Sequence, residues 1–124
     1  MPFEVIKFLV IDFSLSPTKD TTKSGKDFDM DVSSSMDFNA DNGTDFRIKM
    51  TLKLHKGGEF LFKATQMAIV RGDKVSVEDV DAAAKDIPVR SILYPYLRAF
   101  TLSTLKTAGY NDVIVPVALL DAAK

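Results

Sequence analysis

His55 is the only histidine in the 124-residue sequence, and so the only side chain whose ordinary pKa suits proton transfer near neutral pH. A catalytic or metal-binding role would need a nucleophile or further ligands held beside it. There are no cysteines, which removes thiol chemistry, thiolate metal sites and disulfides. Asp27, Asp29 and Asp31 fall at alternate positions, and alternate positions on a strand cannot curl around a cation as a calcium loop does. Gly57-Gly58 and Gly72 lack the spacing of a phosphate-cradling loop. Arg47, Lys49 and Lys53 form no continuous basic tract, and an acidic segment precedes them. The sequence therefore reads as that of a non-enzyme that needs no metal or cofactor and has no nucleic-acid footprint.

Composition narrows the class further. Hydrophobic residues make up 46% and charged residues 27%, with a formal charge of -1, so neither nucleic acid nor an anionic membrane is an electrostatic match. The length suits one domain spanning residues 1–124. Met1-Pro2-Phe3-Glu4 opens without the basic lead of a signal peptide, and no apolar run is long enough to insert into a bilayer. A cytoplasmic location is expected. Asn42-Gly43-Thr44 matches a glycosylation acceptor but reads as a turn.

The elements that would position any site are strands first and helices last. Between residues 28 and 38, Phe28, Met30, Val32, Met36 and Phe38 alternate with Asp29, Asp31, Ser33, Ser35 and Asp37. Between 46 and 55, Phe46, Ile48, Met50, Leu52 and Leu54 alternate with Arg47, Lys49, Thr51, Lys53 and His55. Period two with one apolar face marks half-buried strands. The turn formers of residues 39–45 make the pair a hairpin, and placing 38 opposite 46 faces Asp37 with Arg47, Asp31 with Lys53 and Asp29 with His55. Such exposed pairs, worth roughly 0.2–1 kcal/mol each, select register more than they stabilise.

Lys56-Gly57-Gly58 predicts a second hairpin with His55 opposite Glu59, into a strand over residues 59–70. One face of that strand holds Phe60, Phe62 and Ala64; the other holds Leu61, Lys63, Thr65, Met67 and Ile69. The opening segment, residues 3–15, is apolar in both parities: Phe3, Val5, Leu9, Ile11, Phe13 and Leu15 in one, Ile6, Phe8 and Val10 in the other. Residues 16–26 read as a polar loop long enough to cross the sheet. After Gly72, Ser76-Val77-Glu78-Asp79 resembles a capping box for a short helix through Lys85. A long helix is expected from Ser91 to Ala108, with Pro95 in its first turn, Gly109 as its cap and a stripe of Leu93, Leu97, Phe100, Leu105 and Ala108. Residues 113–120 form a short apolar end.

Two segments resemble the SecB family of export chaperones. Phe3 and Asp12-Phe13-Ser14-Leu15, followed by Pro17, are similar to the family's opening strand. Ile92-Leu93-Tyr94-Pro95-Tyr96-Leu97-Arg98, with Gly109, Val115-Pro116-Val117 and Asp121 after it, is similar to its long-helix start, closing glycine and proline-containing tail. The resemblance implies an α+β fold: a four-stranded antiparallel sheet of order 1-4-3-2 backed by the long helix. It also implies an ATP-independent holdase for unfolded polypeptides, built as a homo-oligomer, a dimer or dimer of dimers.

The resemblance also implies contact with the translocase motor SecA through acidic sheet positions. Asp12 retains one such acid, whereas Ser16 and Lys63 replace two others, and a reversal at Lys63 opposes a basic partner. If the first strand lies beside the fourth, Leu61, Met67 and Ile69 adjoin Phe8 and Val10, and these five are the client-binding candidates. The alternative reading is an adaptor of the same fold, phage-borne, accessory or antitoxin-assisting, that binds one dedicated partner.

Overall fold

The alternation of the central segments carries into strands without a slip. In the computed structural model, which describes residues 3–18, 28–110 and 113–116, β2 (Phe28–Phe38) pairs antiparallel with β3 (Asp45–Lys56). Phe38 lies opposite Phe46, Asp37 opposite Arg47, Asp31 opposite Lys53 and Asp29 opposite His55, the register that the sequence predicts. Side-chain oxygens build the turn. Asn39 Oδ1 accepts from the Asp41 amide, and Asn42 Oδ1 accepts from those of Thr44 and Asp45. Gly43 sits at φ 71, a left-handed conformation that favours glycine.

The second hairpin departs from expectation by two residues. Lys56 pairs with Phe60, which leaves Gly57, Gly58 and Glu59 in the loop and puts His55 opposite Leu61 rather than Glu59. Gly58, at φ 77, takes the left-handed position, and the Glu59 carboxylate reaches the Lys56 ammonium at 2.6 Å. A shift of two preserves both faces. Phe60, Phe62, Ala64, Ala68 and Val70 of β4 (Phe60–Arg71) accordingly join the buried β3 row.

The opening strand, β1 (Glu4–Pro17), pairs antiparallel with β4 and completes the order β1-β4-β3-β2. Register shifts between Val5 and Lys7 and between Val10 and Asp12 leave Ile6 and Ile11 as extra residues. Each bulge flips the parity of the residues beyond it. Val5, Phe8, Val10, Phe13 and Leu15 therefore share the face of the buried β4 row, while Lys7, Leu9, Asp12, Ser14 and Ser16 share the other. The two parity sets of the sequence reading are re-sorted, and the strand is less two-sided than it looks.

A 3-10 turn at Val77–Asp79 leads into α1 (Val80–Lys85), followed by α2 (Val89–Thr107). Ser76 Oγ donates to the Asp79 carboxylate at 3.0 Å, so the two side chains bond each other and no side-chain cap of the backbone forms. Because α2 starts at Val89, Pro95 lies in its second turn; the amide it lacks would have served the carbonyl of Ser91, an exposed residue. Leu93, Leu97 and Leu105 are fully buried, joined by Tyr94 and Thr101, whereas Ala108 is exposed. Thr101 Oγ1 donates to the Leu97 carbonyl at 2.8 Å, which satisfies a polar group in the core. Gly109, at φ 103, ends the helix in a Schellman arrangement, with the Tyr110 amide on the Leu105 carbonyl and the Gly109 amide on that of Lys106.

The core lies between α2 and the central strands. Each fully buried Leu, Ile or Phe there contributes about 1.5–3 kcal/mol, and β3 and β4 together supply most of them. No helix among the described residues is long and apolar enough to cross a membrane. Of the crossover loop expected over residues 16–26, Ser16 and Pro17 instead extend β1, paired with Leu61 and Phe60. Residues 19–26 of that loop, Asp27, residues 117–120 and Asp121 lie outside the described residues.

Candidate functional site

The sheet has one face under α2 and one open face. Across the open face the strands align in rows: Lys7, Ile69, Arg47 and Asp37; then Leu9, Met67, Lys49 and Ser35; then Asp12, Thr65, Thr51 and Ser33. The next two rows are Ser14, Lys63, Lys53 and Asp31, and Ser16, Leu61, His55 and Asp29. Thr51 and Thr65 bond each other at 2.8 Å in the centre. At the far end Arg71 forks onto Asp45, Nε at 2.7 Å and Nη2 at 3.0 Å, and this guanidinium holds the Asp45 carboxyl down at about 2.

This arrangement splits the five client candidates. Leu61, at 50% exposed, and the half-buried Met67 and Ile69 lie on the open face. Phe8 and Val10 do not join them. The bulge at Ile6 turns Phe8 to the helix side, where it lies opposite Ala68 and its ring meets Tyr96 of α2 at 4.6 Å. Val10, opposite Gln66, shares that side. Leu9 takes the place assigned to them, beside Met67. Asp12, Ser16 and Lys63 do share the open face, because no register shift falls between Asp12 and Ser16.

The helix side carries apolar surface that the sequence reading did not single out. Helix α2 is centred over β3 and β4, so the outer strands lie at the margins of its cover. On the β1 margin Phe13 is 56% exposed and meets Phe100 edge-on at 5.3 Å, and Tyr96 is equally exposed. On the β2 margin Met30, Val32, Met36 and Phe38 are only half-buried. Unbranched methionines adapt to varied shapes, which suits a surface that meets different chains.

The helix-start segment and the proline-containing tail come together. Tyr94 OH donates to the Pro116 carbonyl, and Arg98 Nε donates to the carbonyls of Val115 (3.0 Å) and Pro116 (3.1 Å). Val115 is buried beneath them. His55, half-buried on the open face, has Asp29 and Leu61 opposite it, and no group of three side chains able to hold a metal ion occurs among the described residues.

No family model matches the sequence, and no curated protein matches it. Among solved structures, the Mycobacterium tuberculosis SecB-like chaperone Rv1957, in complex with a ChAD peptide from the HigA1 antitoxin, superposes with a TM-score of 0.70. The match covers 92% of this chain and 89% of that one, at 12% identity. The chain has the SecB-like fold. Strand order β1-β4-β3-β2 under one long helix is the SecB-like arrangement, reached at an identity where only fold is held in common. In this chain the aromatic and methionine margins flank the covered core on both sides.

Proposed function

We propose that this chain is an ATP-independent chaperone that holds unfolded polypeptide on the helix-side margins of its sheet. The observation that carries the reading is the incomplete helix cover of a SecB-like sheet, with Phe13, Tyr96, Met30 and Met36 left partly open. Exposed apolar surface of this kind marks binding sites, and non-specific binding requires only that apolar segments be shielded from water. The open-face aliphatics Leu61, Met67 and Ile69 are a second client surface in this reading. Residence in the cytoplasm and assembly into a dimer or dimer of dimers belong to the same proposal, as does weak engagement of SecA, for which Asp12 is the one retained acid.

The second reading is an adaptor for one partner, favoured by the SecB-like neighbour's complex with an antitoxin peptide. Affinity capture on the immobilised protein separates the two. Many unrelated chains, recovered only when unfolded, support the holdase; one stoichiometric folded partner supports the adaptor.

A further inference from the structure

Besides Arg71, which is paired with Asp45, five cations stand on the open face: Lys7, Arg47, Lys49, Lys53 and Lys63. None of these five makes an ion pair among the described residues. Arg47 and Lys53 at least face Asp37 and Asp31 across the β2–β3 pairing. The other three face no acid. Lys7 is opposite Ile69, Lys49 lies between Ser35 and Met67, and Lys63 lies between Ser14 and Lys53. Lys53 directly opposite Lys63 is a like-charge pair, an arrangement that destabilises a sheet unless an anion joins it.

These cations alternate with aliphatic side chains across strands. Ile69 lies between Lys7 and Arg47, Met67 between Leu9 and Lys49, and Leu61 two residues from Lys63. We propose that this face docks an extended, acidic segment of a partner protein, with aliphatic side chains on Leu9, Met67 and Ile69 and carboxylates on Lys7, Lys49 and Lys63. An extended chain repeats every second residue on one side, the same period as the rows beneath it. Charge complementarity selects the sign of the partner and speeds encounter. The aliphatics, together with Asp12, Asp31 and Asp37 on the same face, disfavour a phosphate backbone. The proposal shares Met67 and Ile69 with the open-face part of the client reading, and the sign of the preferred peptide charge separates the two, since shielding of apolar segments alone prefers neither sign.

The test uses two fluorescent peptides of about twelve residues, the length of β3 and β4. In both, every second residue is in turn Leu and a charged residue, with Ser between them, so that one side of the extended chain carries both; the charged residue is Glu in one and Lys in the other, and binding to the full chain is followed by anisotropy. The Glu peptide is expected to bind at least about tenfold tighter at low salt, and the ratio is expected to fall as salt screens it. Lys49→Glu with Lys63→Glu is expected to invert the preference, and the milder Lys49→Gln with Lys63→Gln to bring it near parity. Lys85→Glu with Lys106→Glu, the same change of charge at exposed helix positions, is expected to leave it unchanged. Equal binding of the two peptides, a preference that survives both open-face double variants, loss of it in the helix double variant, or equally tight binding of a DNA duplex would each overturn the proposal.

Discussion

Tyr94 OH donates to the carbonyl of Pro116, fastening the segment after the long helix to that helix's second turn. Arg98 holds the same carbonyl one turn further on, so two side chains share one acceptor. Tyr94→Phe removes the shorter bond while keeping the ring. Urea denaturation is expected to show a loss of about 1 kcal/mol, with Arg98→Met costing a similar amount. Burial also raises the Tyr94 pKa above 10.0, against a smaller lowering by Arg98. The protonated phenol is therefore the form the fold favours, and its contribution is complete below pH 10 and lost as pH rises beyond it. In an alkaline absorbance titration, the component missing from Tyr94→Phe is expected to have its midpoint above pH 10.0.

Arg71 and Asp45 give a pH dependence at the acid end. The hydrogen bond from Arg71 is the largest cause of the lowered Asp45 pKa, 3.8 falling to about 2. A carboxyl lowered in the folded state stabilises above its unfolded pKa and loses that contribution as pH falls through its folded pKa. Half of the Arg71 side chain is exposed, so solvent screening keeps the pair's contribution small. Asp45→Asn is expected to lower stability slightly at neutral pH, with the gap to the parent closing between about pH 4 and pH 2.

The fold was largely legible in the sequence, and the reasons lie in particular residues. Phe46 to Leu54 alternate without a break, so β3 and its pairing with β2 follow from the pattern alone. The resemblance carried by residues 92–98 supplied the strand order, which alternation cannot give. The site was less legible, because its geometry depends on two bulges. Ile6 and Ile11 are apolar like their neighbours, and nothing in their type marks them as extra residues. Plain alternation therefore predicts the open face for Phe8, whereas the bulge puts it opposite Ala68 on the helix side. Methionines 30 and 36 were readable as an apolar face, but how far α2 reaches over that face is a tertiary fact.

The exposed edge of β1 makes assembly the next expectation. Val5, Ile6, Ile11 and Phe13 are all at least one-third exposed on a 14-residue edge strand, an aggregation hazard for a free monomer. Light scattering at micromolar concentration is expected to give at least a dimer mass. Ile11→Asp is expected to weaken that association by roughly tenfold or more, since a buried Ile is worth about 1.5–3 kcal/mol. A monomer mass for the parent chain would refute the expectation.

Lys63 governs the expected response to SecA. It shares the open face with Asp12 and Ser16, and Ser14 and Lys53 are its cross-strand neighbours. A basic tail segment of SecA is expected to bind weakly, and more tightly to Lys63→Glu with Ser16→Glu. The gain is expected to be about 1–2 kcal/mol and largest at low salt. Tight binding by the parent, unaltered in the double variant, would place the contact on another surface.

Suppression of client aggregation bears most directly on the chaperone reading. A chemically denatured client is diluted into buffer without nucleotide, and turbidity is followed with increasing amounts of this protein. Suppression is expected to approach completion at a small molar excess and to be unaffected by ATP. Met30→Glu with Met36→Glu is expected to impair it while the far-ultraviolet circular dichroism stays that of the parent. Turbidity that rises undiminished at excess of the folded parent protein would contradict the chaperone reading.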